Sequence, residues 1–285
     1  MISGTRYGLT LEINRQLQLA RDIERLQTEI STGKRIQAPS DDPVASARIS
    51  DLARMQANEA AWSRNLTYAA ALSARADTAL GSVATGLDRA KELMLAASNG
   101  TLSAANRATI ASELRAIAEE MQSLIESRDG RGEPLFPTGA ALRIPVSVGV
   151  EIEAVGSRAR MFEGIDTPSG ATDLLAILTG AADALAEPDD EARRAAVAAS
   201  LDALDAAVRH IGAARGEQGA RGSRIDALVE RLAQSGLQIA EERSAMESAN
   251  IVEVIARLQA RQLTLQAAQA AFARTNQSTL FDLLR

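Results

Sequence analysis

The sequence predicts a mainly α protein: a long antiparallel helical rod or coiled coil made from the N- and C-terminal segments, with a small β-containing insert in the middle. Three observations carry this. Near the start, Leu19, Ile23, Leu26 and Ile30 follow one another at steps of 4, 3 and 4. Near the end, Ile251, Ile255, Leu258, Leu265 and Phe272 share a single 4-3 lattice, with Gln262 and Gln269 in the intervening places. Such a seam points at one partner helix rather than at a broad core. Finally, aromatics make up only 2% of the chain. Compact cores lean on aromatics for buried area, whereas closely packed rods do without them.

The elements follow in order. Residues 5–32 read as a first helix ending at Gly33, which suits a left-handed C-terminal cap. In Ser40-Asp41-Asp42-Pro43, Asp42 suits a helix N-cap and Pro43 the first helical position. The alternative, a carboxylate pair for a cation or for acid–base work, lacks further ligands nearby. From Leu52 through Met55, Glu59, Trp62, Leu66, Ala69, Ser73, Ala76, Leu80, Val83, Leu87 and Ala90 to Met94, steps of 3 and 4 alternate, and Glu59 and Ser73 alone are polar. A helix through Pro43–Ser98 would be about 80 Å long, and Asn99-Gly100 would break it.

A third helix carries Ile110, Leu114, Ile117, Met121 and Leu124. Residues 129–168 are punctuated by Gly and Pro, and Ile144, Val146, Val148, Val150 and Ile152 alternate strictly. This is a small β region, with Pro145 marking an edge or a bulge. Helical periodicity returns over 171–186 and at Val197, Leu201, Leu204, Val208 and Ile211. It resumes from Arg224 to the end, with interruptions expected near Ser235-Gly236 and Asn250. A chain that leaves along helices, turns through an insert and returns brings its ends together. The domain expectation is residues 1–44 plus 245–285 as a terminal coiled coil, 45–128 plus 190–244 as a helical rod, and 129–189 as the insert.

Bulk properties narrow the function. Net charge is −6 and the isoelectric point about 5.1, with no basic tract, so nucleic acid is not an expected partner. No apolar run reaches the ~18 residues that span a bilayer, so no membrane insertion is expected. No basic-then-apolar leader opens the sequence. Cysteine is absent, which removes disulfides and thiolate metal sites.

Candidate chemistry is thin. His210, the sole histidine, precedes Ile211 within a helical pattern and reads as a surface or groove residue. Gly212, Gly216, Gly219 and Gly222 spell no phosphate-loop motif and follow no strand. Arg143, Arg158 and Arg160 flank the β region as solvated charges. No catalytic triad, metal cluster or cofactor fingerprint emerges, so no enzyme, cofactor or metal is expected.

The segment Ile30-Ser31-Thr32-Gly33-Lys34-Arg35-Ile36-Gln37-Ala38-Pro39-Ser40-Asp41-Asp42-Pro43-Val44-Ala45 resembles the N-terminal signature of the flagellin superfamily. The stretches 248–255, 263–272 and the ending 278–285 resemble its C-terminal signature. The likeness covers about residues 1–130 and 200–285. Within the superfamily, the Pro39–Pro43 form, the Met1-Ile2-Ser3 start and Leu135-Phe136 look most like the hook-associated branch, hook-associated protein 3 in kind. The absence of Arg after Met1 and the short insert keep filament flagellin as an alternative. A cytoplasmic coiled-coil scaffold is the alternative of another class.

The resemblance implies a structural subunit exported unfolded, without a cleavable signal, to an extracellular bacterial flagellum. It implies copies of itself as partners, together with neighbouring axial proteins (a hook-side junction protein and flagellin) and an export chaperone. Its assembly interface would be Leu19, Ile23, Leu26, Ile30, Ile251, Ile255, Leu258, Leu265 and Phe272, with Ser40, Asp41, Asp42 and Pro43 as a helix-start motif.

Overall fold

Seven helices and four short strands are described, in the order α1 (Ile2–Thr32), α2 (Pro43–Ala97), α3 (Ala104–Ile125), β1 (Arg143–Ser147), β2 (Val150–Glu153), α4 (Arg158–Phe162), β3 (Ile165–Thr167), β4 (Gly170–Thr172), α5 (Leu174–Ala184), α6 (Asp190–Glu247) and α7 (Ile251–Phe281). The computed structural model describes residues 2–99 and 102–281, without the side chains of residues 2–6, 9 and 275–281. Gly100 of the expected helix break, and residues 282–285 of the C-terminal motif, lie outside the described residues. The fold is mainly α with a small β insert, as the periodicities imply. The chain divides into two compact units, Met1–Ala57 with Ser235–Arg285, and Asn58–Gln234. The insert expected at 129–189 shares a unit with residues 58–128 and 190–234 of the expected rod, whereas residues 45–57 and 235–244 of that rod fall in the terminal unit.

The central unit, 58–234, holds one continuous apolar cluster that includes Leu66, Leu80, Leu87, Leu114, Met121 and Leu204. From Leu66 to Met94 every position of the predicted α2 stripe is buried, whereas Glu59 and Trp62 are half-buried. Each full burial of a large aliphatic side chain contributes ~1.5–3 kcal/mol. Local chemistry sets the helix starts. Ser103 caps α3 by accepting from the Asn106 N–H, and Asp173 caps α5 by accepting from Ala176 at 2.8 Å. Asp189 accepts from Ala192 at 2.8 Å, and Asp190 and Glu191 then place negative charge in the first turn of α6.

The strict alternation over 144–152 belongs to a hairpin rather than one strand. β1 pairs antiparallel with β2 through Ile144↔Ile152, and the register slips between Pro145 and Ser147. The two-residue turn, which pairs Ser147 with Val150, would alone invert the parity; the slip restores it, so Ile144, Val146 and Ile152 are all buried and the sequence pattern runs straight through. Gly149 supplies the required left-handed backbone at φ 68°. The hairpin sits on helices: Asn65 on α2 donates to the Pro145 carbonyl at 2.8 Å. Gln218 on α6, 1% exposed, donates to the Ala154 carbonyl at 2.8 Å and to Ser73 Oγ on α2 at 2.9 Å. One buried amide therefore ties the insert to two helices. Within the insert, Phe136 and Phe162 meet edge-to-face with centroids 4.9 Å apart. Ahead of it, the Tyr68 hydroxyl donates to Asp129 at 2.6 Å, and Arg131 stacks 4.0 Å over the same ring.

The terminal unit is built from α1, α7, the start of α2 and the end of α6. The expected interruption at Ser235-Gly236 does not occur, and α6 continues to Glu247. A single interior glycine costs only ~1 kcal/mol, which the flanking turns absorb. The Asn250 break is present, as residues 248–250 separate α6 from α7. Buried apolar side chains are few here: Leu19, Leu26, Leu52, Ile239 and Val254.

Candidate assembly site

α1 ends where α6 ends, and the two breaks are hydrogen-bonded to each other. Gly33, at φ 69°, closes α1 with its N–H on the Glu29 carbonyl at 2.9 Å, the left-handed cap that its position predicts. The Arg35 N–H then donates to the Glu247 carbonyl at 2.8 Å, and the Ala249 N–H donates to the Gly33 carbonyl at 2.9 Å. Lys34 and Ser248 form an isolated antiparallel bridge. The Glu247 carboxylate accepts from Arg243 Nε at 2.7 Å and lies 3.2 Å from Lys34 Nζ. Arg243, and then Lys34, hold its carboxyl below the usual glutamate range. Arg243 also donates to Gln56 on α2 at 2.8 Å, and Arg48 pairs with Glu242 at 2.6 Å. Sequence reasoning missed Glu247, because the spacing of four from Arg243 is common on a helix surface and no spacing marks the distant partners Lys34 and Arg35.

Between the joint and α2 lies the helix-start motif. The Asp42 carboxylate accepts from the Ala45 N–H at 3.0 Å, and α2 begins at Pro43, so the cap reading holds. Asp41 faces back instead, accepting from the N–H groups of Gln37 and Ala38, each at 2.9 Å. The bonds from Ala38, then Gln37, lower its pKa. The two adjacent carboxylates thus do separate structural jobs. Ser40 is exposed. No group of side chains among the described residues is arranged to hold a metal ion.

Beyond the joint, α1 and α7 pack on each other. Leu19 and Leu26 are buried, and Ile23 and Ile30 are half-buried on the same stripe. On α7, Ile251, Leu258, Leu265 and Phe272 are half-buried, forming one column of the seam. The second column differs from the sequence lattice. Ile255 is 40% exposed, while Val254 is buried; Gln269 is exposed, while Ala268 is half-buried. A stripe at heptad spacing can be flanked on either side, and both Val254 and Ile255 are apolar, so the sequence alone leaves the side open. The partner helix lies on the Val254 side, where Arg261 reaches Asp22 on α1 at 3.9 Å. Gln262 is half-buried as expected, and Gln16 on α1, a position that the lattice did not single out, joins it.

The outer surfaces of this pair carry several large apolar side chains. Tyr7, Leu11, Ile13 and Leu17 on α1, and Val252, Ile255 and Leu263 on α7, are all exposed. Among the described residues, no helix is long and apolar enough to cross a membrane. His210 is half-buried on α6, and the Gly212–Gly222 glycines lie within the same helix rather than in a loop.

The comparisons with known proteins bear on this geometry. The family model of the bacterial flagellin N-terminal helical region matches residues 10–140. The model of the bacterial flagellin C-terminal helical region matches residues 201–284. Flagellar hook-associated protein 3 of Escherichia coli is 26% identical over 287 residues, covering 90% of each chain. The protein of the same name from Salmonella typhimurium is 30% identical over 112 residues, 39% of this chain and 35% of that one. Among solved structures, a putative flagellar hook-associated protein from Vibrio parahaemolyticus aligns with a TM-score of 0.65 at 21% identity, over 73% of this chain and all of that one. The FlgL protein of Xanthomonas campestris aligns at 0.58 and 16% identity, over 67% and 99%. The matched N- and C-terminal regions contain the joint, the helix-start motif and most of the paired helices, and with them this chain belongs to the flagellin family.

Proposed function

We propose that this chain is a structural subunit of the bacterial flagellum that joins the hook to the filament, and not an enzyme. What carries the reading is the likeness to a hook-associated protein 3 over 90% of both chains, supported by a terminal helix pair that leaves Tyr7, Leu11, Ile13, Leu17, Val252, Ile255 and Leu263 exposed. Such a pair gains stability when neighbouring subunits cover it, which couples its ordering to assembly. Helical growth uses head-to-tail contacts between non-identical surfaces, so the partners are copies of this chain and the adjoining axial proteins on either side. The subunit acts outside the cell, and an export chaperone shields its terminal helices beforehand. The seam residues Leu19, Ile23, Leu26, Ile30, Ile251, Leu258, Leu265 and Phe272 hold the pair together, and outward Ile255 lies on the face left for neighbours. The Ser40–Pro43 motif sets where α2 starts beside the joint.

Deleting the gene tests this directly. Hooks that lack filaments, with flagellin shed into the medium, are the expected result. Filaments still attached to hooks would overturn the junction role. Loss of a filament composed of this chain itself would mean flagellin instead.

A further inference from the structure

Where the end of α2 meets the start of α6, the central unit carries a cleft of about 390 Å³. Its charged lining is three arginines and one aspartate: Arg107, Arg193, Arg194 and Asp190. The chain as a whole has a net charge of −6, so this cationic excess is local. The rest of the wall includes Ala97, Val197 and Leu201, the first two buried and the last half-buried. Asp190, Arg194, Val197 and Leu201 follow one another at steps of 4, 3 and 4, which puts them on one helix face. That face is charged in the first turn of α6 and apolar beyond it.

The arginines have local work, and it leaves donors over. Arg193 is fully occupied: its Nη1 donates to the Glu187 carbonyl at 3.1 Å, and its other arm pairs with Asp190. Arg107 donates through Nη1 to the Leu102 carbonyl at 2.7 Å, and Arg194 through Nε to the Asp190 carbonyl at 3.1 Å. Among the described residues, neither Arg107 nor Arg194 pairs with a carboxylate. A guanidinium presents a fork of N–H donors, and a single one is engaged in each. Asp189 does not compete for them, since it accepts from the Ala192 N–H at 2.8 Å. Arg193 first, then Arg107 and Arg194, hold the Asp190 carboxyl below the usual aspartate range. The three positive charges therefore act on the same space.

We propose that this cleft binds an organic monocarboxylate with a short apolar chain, its carboxylate on Arg107 and Arg194 and its chain along Val197 and Leu201. A planar carboxylate matches the guanidinium fork and takes charge-assisted hydrogen bonds from it. The volume lies at the small end of the ~300–1,000 Å³ found for ligand sites. An inorganic anion would use the arginines and leave the apolar wall in water, and a neutral chain would do the reverse. The cleft lies wholly within the central unit, and the flagellar reading does not depend on it.

Hexanoate is the probe, titrated into the isotope-labelled full-length chain and followed by amide chemical shifts, with hexanol, acetate and inorganic phosphate as controls. Hexanoate should give saturable shifts confined to residues 97–99, 107 and 190–201, with a Kd of about 1 mM or tighter. Each control lacks one half of the ligand and should bind at least about tenfold more weakly. Arg194→Ala alters an exposed side chain; it should leave the circular dichroism unchanged and weaken hexanoate by about tenfold. Arg194→Lys should recover only part of that loss, because an ammonium lacks the fork. Phosphate or acetate binding as tightly as hexanoate would overturn the role of the apolar wall, and hexanol doing so would overturn that of the arginines. Absence of saturable shifts, or parental affinity in Arg194→Ala, overturns the site itself.

Discussion

The central and terminal units solve the burial problem in opposite ways. In the central unit, predicted stripe positions from Leu66 to Met94 are all buried, and they join one cluster with α3, α5, α6 and the insert. In the terminal unit, Leu19, Leu26, Leu52, Ile239 and Val254 are buried and none belongs to that cluster. Apolar side chains are not scarcer there, as Tyr7, Leu11, Ile13, Leu17, Val44, Met55, Leu237, Val252, Ile255 and Leu263 all stand exposed. The difference lies in how many neighbours each helix has. A helix surrounded by others buries its whole stripe, whereas a lone pair buries one seam and leaves the rest. The first arrangement is complete in one chain; in the proposed role, other chains complete the second.

The contrast breaks most plainly on removal of residues 251–285. Incorporation should be abolished while 58–234 keeps its helical dichroism, and loss of all helicity in the truncated subunit would show that the units are not independent. Leu258→Asp should act almost as strongly on assembly, since an unpaired charge in an apolar seam costs about 3 kcal/mol or more. A motile strain carrying only that variant would refute the role of the seam. Leu87→Ala, in the core of the central unit, should cost about 3 kcal/mol in urea unfolding. Leu26→Ala should cost clearly less, because a thin seam relaxes where a packed core cannot. Equal costs would erase the contrast.

Smaller effects sharpen it. Gln218→Ala should cost about 1–3 kcal/mol by leaving the Ala154 carbonyl and Ser73 unpaired, with faster hydrogen exchange confined to the insert. Glu247 gives the joint a pH dependence. Its folded pKa lies below the ordinary value because Arg243 and Lys34 favour the ionised form. The stability that it contributes is therefore present at neutral pH and lost as pH falls through the usual glutamate range toward the lowered folded value. Melting of the terminal helices should thus depend less on acid in Glu247→Gln than in the parent. An identical acid profile would remove Glu247 from the joint. His210→Ala should change stability by no more than about 0.5 kcal/mol and leave incorporation unaltered.

Much of this was legible in residue spacing. The stripe from Leu66 to Met94, the cap at Gly33 and the roles of Asp42 and Pro43 depend on periodicity and local backbone chemistry, which neighbours in sequence settle. The hairpin was half legible: alternation marked the β region, yet the register slip beside Pro145 undoes the parity change of the two-residue turn and so hides it from the alternation. Val254 and Ile255 could not be ranked, because both are apolar and only the position of α1 chooses between them. Glu247 had only the spacing of four from Arg243 as a local signature. Its three partners come from Lys34, Arg35 and Arg243, two of them from the other end of the chain.

By itself the sequence determined the mainly α class, the ends of α1 and α2 near Gly33, Pro43 and Ser98, and the meeting of the two ends. Those follow from 3.6-residue periodicity and from caps, which act within a turn or two. Tertiary structure decided which column of α7 faces α1, how one glutamate pins both chain breaks, and that Gln16 turns inward while Leu17 turns out. These depend on the azimuth of one helix against another, a quantity that a stripe wider than its partner leaves free until the partner is in place.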